Sequence, residues 1–206
     1  MIRDTGVGVT CFVSEPAGRL VDPGTHADFL AGVERSATLA ARLNAHNLIV
    51  VAGDTLPDVH RGRQRDAITE ALRRAAPIAS DRGVRLLLEP LNTRVDHAGY
   101  FLDSTAEGLD IVRVVNHPAV GLLYDLYHSV VMGEEPQEVL VGSGHLVGHV
   151  HVADVPGRHE PGTGTIDWSR ELRALQAAGY SGALGLEYMP TRDTESSLEL
   201  IRGLVP

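Results

Sequence analysis

The 206-residue chain contains no lysine; all eighteen of its basic residues are arginines. Schiff-base catalysis, pyridoxal phosphate attachment and the phosphate-loop motif each need a lysine amine, so those chemistries are excluded. Cysteine is nearly absent as well. Cys11 stands alone, which rules out an intramolecular disulfide and any multi-cysteine zinc or iron–sulfur site. Its expected place is that of a small buried apolar residue. Positive charge is scarce: 27 acidic residues outnumber 18 basic ones, for a net charge of −9. The one basic run, RGRQR at 61–65, reads as the solvated start of a helix, and a nucleic-acid ligand is disfavoured for want of a basic face. No apolar stretch is long enough to cross a bilayer, and the opening MIRDTGVGV lacks a basic segment followed by a long apolar one. A soluble, cytoplasmic protein is expected. No G-x-G-x-x-G follows the first apolar run, so a nicotinamide-binding fold has no support.

What is present suits one compact domain over residues 1–206, with 43% hydrophobic residues to fill a core. Strand-like apolar runs occur at about 6–13, 47–52, 84–89, 119–125, 146–152 and 183–188. Helical patterns lie between and after them, at about 25–45, 63–82, 104–116, 135–143, 167–179 and 193–204. In the second of these, Ile68, Leu72, Ala75 and Ala79 recur at three- and four-residue spacing and form one stripe. Ser104 followed by Glu107 predicts a capping box, and Gly83 and Gly179 mark helix ends. Strands apolar on both faces and alternating with helices predict a parallel sheet of TIM-type (β/α) barrel architecture. A closed barrel has eight strands and only six are visible. The expectation is therefore a barrel lacking its first two βα units, whose first strand is an edge left exposed or covered by a partner, such as a second copy of the chain.

Four of the runs end in metal-capable side chains: VRLLLEP at Glu89, VGLLYD at Asp125, VGHVHV at His151 and ALGLEY at Glu187. A parallel barrel gathers the C-terminal ends of its strands on one face, so these four side chains are expected to converge. Taken singly, a carboxylate at a strand end more often meets solvent or caps a helix. Four in series, with three oxygen donors and one imidazole, favour a divalent ion such as Mg, Mn, Co or Zn. Of the two histidines in VGHVHV, one is expected inward and the other toward the helices.

Several longer segments carry a resemblance: LLLEPLNTR at 86–94 with GYFLDST at 99–105, YDLYH at 124–128, GHVHVADVPGRHEPGTG at 148–164 and GYSGALGLEYMP at 179–190. On these the chain resembles the hydroxypyruvate isomerase family of the xylose-isomerase-like TIM-barrel superfamily. Residues 24–83 match in general pattern only, 1–23 weakly, and the family's first two βα units have no counterpart. The resemblance implies a metal held by Glu89, Asp125, His151 and Glu187, with Glu89 and Glu187 sharing acid and base roles. It places His128 on a substrate oxygen and makes Arg158 a partner for a substrate carboxylate. Glu160 is a further substrate-contact candidate, although it and His159 are also suited to holding the loop's shape. Two departures stand out. His151 occupies a position where hydroxypyruvate isomerases tend to carry Gln and ketose 3-epimerases His, and Thr165 follows PGTG where isomerase-like sequences often carry Glu.

The chemistry expected of such a set is removal of a proton next to a carbonyl, with the resulting enediolate stabilised by the ion. The expected reaction interconverts a small hydroxy-keto acid with its aldehyde form, hydroxypyruvate with tartronate semialdehyde. A 2-oxo-tetronate isomerase and a ketose 3-epimerase are alternatives of the same class. A non-catalytic remnant of an isomerase barrel is an alternative of another class, because two missing units remove part of the pocket wall. A zinc-dependent apurinic endonuclease would need more histidine ligands, and its DNA would meet an acidic chain.

Overall fold

A computed structural model describes residues 5–204. Its centre is one parallel sheet of six strands in sequential order: β1 (Cys11–Val13), β2 (Asn47–Val51), β3 (Arg85–Glu89), β4 (Val120–Asp125), β5 (Val147–Val152) and β6 (Leu184–Leu186). Each strand pairs in parallel with the next. The helices are α1 (His26–Leu43), α2 (Arg61–Ser80), α3 (Thr105–Val115), α4 (Leu126–Met132), α5 (Pro136–Val139), α6 (Trp168–Ala177) and α7 (Thr194–Arg202). Strands and helices alternate as βα units must in a barrel, here two strands short of closure among the described residues.

Side chains alternate across each strand, and the two faces meet different neighbours. Leu48 and Val50, Leu86 and Leu88, Leu122 and Tyr124, and Val150 and Val152 belong to the main core with the helices, where Ile68, Leu72, Ala75, Ala79, Leu109 and Val112 are also buried. The stripe read along 68–79 is wholly buried, each member 0% exposed. The intervening strand residues Ile49, Leu87 and Leu123 form a separate small cluster on the other, concave face, with Cys11 packed against it. Full burial of one such aliphatic side chain is worth about 1.5–3 kcal/mol.

Several boundaries differ from the sequence reading. β1 keeps only Cys11–Val13 of the expected 6–13, because a strand with one neighbour has half a hydrogen-bonding ladder to define it. It is an edge, as expected, with Val13 57% exposed. The helix expected over 135–143 is a single short turn, α5, entered through Pro136. α4 was not anticipated. It starts directly after β4 because the Asp125 carboxylate accepts hydrogen bonds from Tyr127 N at 2.8 Å and His128 N at 3.3 Å, the geometry of a helix N-cap. The capping box at α3 is half made: Ser104 Oγ accepts from Glu107 N, while the Glu107 carboxylate turns outward to Arg61. Gly179 follows the end of α6 with φ +92°, in the left-handed region that glycine takes at no steric cost.

Candidate active site

β3, β4, β5 and the residue just beyond β6 deliver Glu89, Asp125, His151 and Glu187 to one end of the sheet. One ligand atom from each lies within 4.8 Å of those of the other three. Register explains part of this: Asp125 pairs with His151, and His151 with Gly185, so three strands are level where the site begins. A slip between Leu122 and Leu123 in the β4–β5 ladder sets that alignment. Glu89 is fixed from behind. The Tyr100 hydroxyl accepts from Ala52 N at 2.7 Å and donates to Glu89 O at 2.9 Å, tying the ends of β2 and β3 together.

Within the cluster, His151 Nδ1 stands 3.2 Å from Glu187 Oε2 and 3.8 Å from Glu89 Oε1. It is buried and makes no hydrogen bond of good geometry, so a basic nitrogen faces two carboxylates without being bonded to either. An unpaired imidazole nitrogen among three carboxylates is a donor set that fits a hard or borderline divalent cation. Arg158 enters the same space. Its Nη2 donates to Glu187 Oε2 at 2.7 Å and lies 3.5 Å from Asp125 Oδ2, and its guanidinium sits 5.2 Å from the centre of the Tyr127 ring. Arg158 is one of three non-glycine residues with positive φ among the described residues, at +56°, a conformation that the loop must impose.

Titration separates the carboxylates of the site. Burial, reinforced by the nearby Asp125 charge, pushes Glu89 up to about 8. Burial also raises Asp125, to about 6, although Arg158 opposes it. Glu187 goes the other way, down to about 2, chiefly through its contact with His151. Burial alone would lower His151, but contacts with Cys11, Glu187 and Glu89 outweigh it and raise the imidazole to about 10. Near neutral pH one glutamate therefore holds a proton while its neighbour is ionised, an arrangement suited to paired acid and base work.

His128 lies beside the cluster, with Nε2 3.6 Å from Asp125 Oδ2. Its Nδ1 faces two donors, Asn92 Nδ2 at 2.6 Å and Asn92 N at 3.3 Å. Nδ1 is thus the acceptor and the proton resides on Nε2, which is buried without a hydrogen-bond partner. Burial and the adjacent Arg158 hold this ring neutral, lowering it to about 3. Asn92 was missed in the sequence, although it lies in the LLLEPLNTR segment three residues past Glu89. It is fully buried, and its carbonyl accepts from Val95 N and Asp96 N.

The loop after β5 is shaped by two buried carboxylates. Asp154, also missed, accepts from Val155 N, Gly162 N, Ile166 N and Trp168 Nε1 at 2.7–3.2 Å. For Glu160 the geometry favours the loop-holding reading over substrate contact: it is 0% exposed, and its oxygens accept from Thr191 N at 2.9 Å and Thr191 Oγ1 at 3.0 Å. His159 Nδ1 meets Met189 O at 2.8 Å, and Met189 N donates to Arg158 O at 2.7 Å, which zips the loop to the segment carrying Glu187. Thr165 donates through both N and Oγ1 to Val155 O.

Two expectations for the concave face need correction. His149 and His151 are two residues apart on one strand and therefore share a face; their rings meet edge to face with centroids 5.1 Å apart. Cys11 is not deeply buried but partly exposed, beside those two rings, and their contacts lower its thiol to about 6 although burial would raise it. A cavity of about 800 Å³ lined by Arg85, Arg113, His117 and His145 includes none of the four strand-end ligands.

A sequence profile described as "Xylose isomerase-like TIM barrel" matches residues 1–204. The chain belongs to this family. Within the xylose isomerase-like family, it is 33% identical over 176 residues to a 2-oxo-tetronate isomerase of Cupriavidus necator, covering 85% of this chain and 67% of the relative. It is 30% identical over 176 residues to a hydroxypyruvate isomerase of Escherichia coli, covering 85% and 68%. A crystal structure of an AP endonuclease, family 2, from Brucella melitensis superposes with a TM-score of 0.90 at 29% identity, over 98% of this chain and 80% of that one. No helix among the described residues is long and apolar enough to cross a membrane.

Proposed function

We propose that this isomerase acts on a small hydroxy-keto acid, interconverting hydroxypyruvate and tartronate semialdehyde through an enediolate. The observation that carries the reading is the convergence of Glu89, Asp125, His151 and Glu187, with one ligand atom of each within 4.8 Å of the others. A divalent ion held by these four residues would supply Lewis-acid stabilisation of the charge that builds on two adjacent substrate oxygens. The protein's own groups account for the proton movements. Glu187, ionised and half exposed, takes the proton from C3 in this reading. Glu89, deeply buried in the same cluster, is the group that returns a proton at C2. The hydroxyl proton passes from the C3 oxygen to the C2 oxygen, so atoms balance and no redox partner is needed.

His128 offers an unengaged Nε2–H toward a substrate oxygen while Asn92 fixes its tautomer. Arg158 is suited to a bidentate contact with the substrate carboxylate, for which it exchanges its bond to Glu187. Glu160 acts at one remove, by keeping the Arg158 loop in place.

A 2-oxo-tetronate substrate is the second reading, favoured by the 33% identity to the Cupriavidus protein of that name; the reaction is the same with one more carbon. His151 in place of Gln keeps a ketose 3-epimerase in view. Activity on three- to six-carbon keto acids and ketoses separates these substrates.

The test is proton NMR of magnesium-loaded protein with hydroxypyruvate in deuterium oxide, following C3 proton exchange and appearance of the aldehyde. Exchange with product is the expected result, and Glu187→Gln should abolish both while leaving the circular dichroism spectrum unchanged. Near-normal turnover in that variant would sink the mechanism. Absence of exchange in the unaltered protein with every substrate class tried would favour the non-catalytic remnant.

A further inference from the structure

The concave face carries a second set of metal-capable donors beneath the carboxylates. Cys11 on β1 and His149 and His151 on β5 each offer one ligand atom, and the three atoms lie within 4.8 Å of one another. β1 and β5 are separated by three intervening strands, so the thiol reaches the imidazoles across the hollow of the curved sheet rather than along a ladder. The surrounding side chains at this depth are apolar: Ile49, Leu87 and Leu123.

Gly185 provides the space. A Cβ at that position would stand 2.7 Å from His149 Nε2 and 3.2 Å from His151 Nε2, too close for any other residue without a shift. With hydrogen there instead, both Nε2 atoms face the same small volume. His151 already turns its opposite nitrogen, Nδ1, toward Glu187 and Glu89. His149 is 4% exposed, and among the described residues its ring contacts His151 and the Cys11 thiol rather than a carboxylate or a carbonyl.

We propose that Cys11, His149 and His151 form a second ion site, selective for a thiophilic divalent cation such as zinc and sharing His151 with the carboxylate set. Sulfur and imidazole donors select softer ions than the oxygen-rich set above them. Three protein ligands leave a fourth, open position of the kind zinc fills with water. On binding, the thiol and any protonated imidazole release their protons to solvent, and the sulfur–metal and nitrogen–metal bonds form with no change of oxidation state; His151, with one lone pair as a neutral imidazole, serves one ion at a time. The proposal does not depend on the isomerase reading, since its readout is the Cys11 thiolate, a donor that the carboxylate set lacks.

Cobalt(II) titration of chelator-treated protein, kept reduced with a non-thiol phosphine, tests it. Cys11 is the sole cysteine, so a thiolate-to-cobalt charge-transfer band in the near ultraviolet reports this site alone. The band is expected in the unaltered protein and in Glu187→Gln, and should vanish in Cys11→Ser. His149→Ala should weaken the cobalt affinity read from the band by at least the roughly 10–100-fold that loss of an outer-shell partner costs. Circular dichroism of each variant establishes that it is folded. Saturation with cobalt and no charge-transfer band would overturn the proposal, as would a folded His149→Ala variant with the same band at the same affinity. Loss of turnover in Glu187→Gln with the band intact separates the two sites.

Discussion

On the convex side of the sheet, Leu48, Val50, Leu86, Leu88, Leu122 and Tyr124 meet the apolar, buried faces of the helices. On the concave side the apolar cover is Ile49, Leu87 and Leu123, and beyond it the strands end in carboxylates and imidazoles. Neighbouring residues on the same strand, Leu88 and Glu89, thus belong to opposite regimes. The side facing helices is where packing stabilises the fold. The hollow is where polar groups are buried against their own solvation preference, and where a ligand can repay that cost. A two-residue period in the backbone is enough to keep these demands apart.

The comparison predicts unequal responses to similar substitutions. Leu88→Ala, which opens a cavity against the helices, should cost about 2–5 kcal/mol in urea unfolding. Leu123→Ala on the concave side should cost less, because fewer side chains close over it; equal losses would show that the hollow is packed like the outer core. Asp154→Ala strips partners from the loop that presents Arg158. Each buried donor left unpaired costs about 1–3 kcal/mol, and KM should rise before folding is lost. Unchanged stability and KM would mean that water replaces the carboxylate without penalty.

A further difference between the two faces concerns pH. Glu89 has its folded value raised to about 8 by burial, so its protonated form is the one the ion-free fold prefers. Its contribution is fully present below the ordinary carboxylate range and is lost as pH rises toward 8. Chelator-treated protein should therefore lose stability over that interval, and Glu89→Gln should flatten that limb of the profile. An identical slope in the variant would assign the effect to other groups.

Much of this was legible in the sequence because apolar runs ending in Glu89, Asp125, His151 and Glu187 encode both the strands and what they deliver. The helices followed from spacing, as Ile68, Leu72, Ala75 and Ala79 illustrate. What escaped notice depended on contacts between distant segments or on one residue having two roles. Asp125 is a ligand candidate and also the cap of α4, so reading it only as the former hid the helix. Asn92 and Asp154 are ordinary polar residues until the fold brings His128 and Trp168 to them. The pairing of Cys11 with His149 spans a curved sheet, and nothing local in either segment announces it.

Arg158 reaches between Asp125 and Glu187 and lies over Tyr127. It is a built-in counter-ion to these carboxylates, so a dication bound there as proposed would meet a site whose negative charge is already partly claimed. Loading would then trade one cation for another and free the guanidinium to turn toward the carboxylate of the proposed substrate. Occupancy of the centre and readiness for an anionic substrate are in this way coupled through a single side chain.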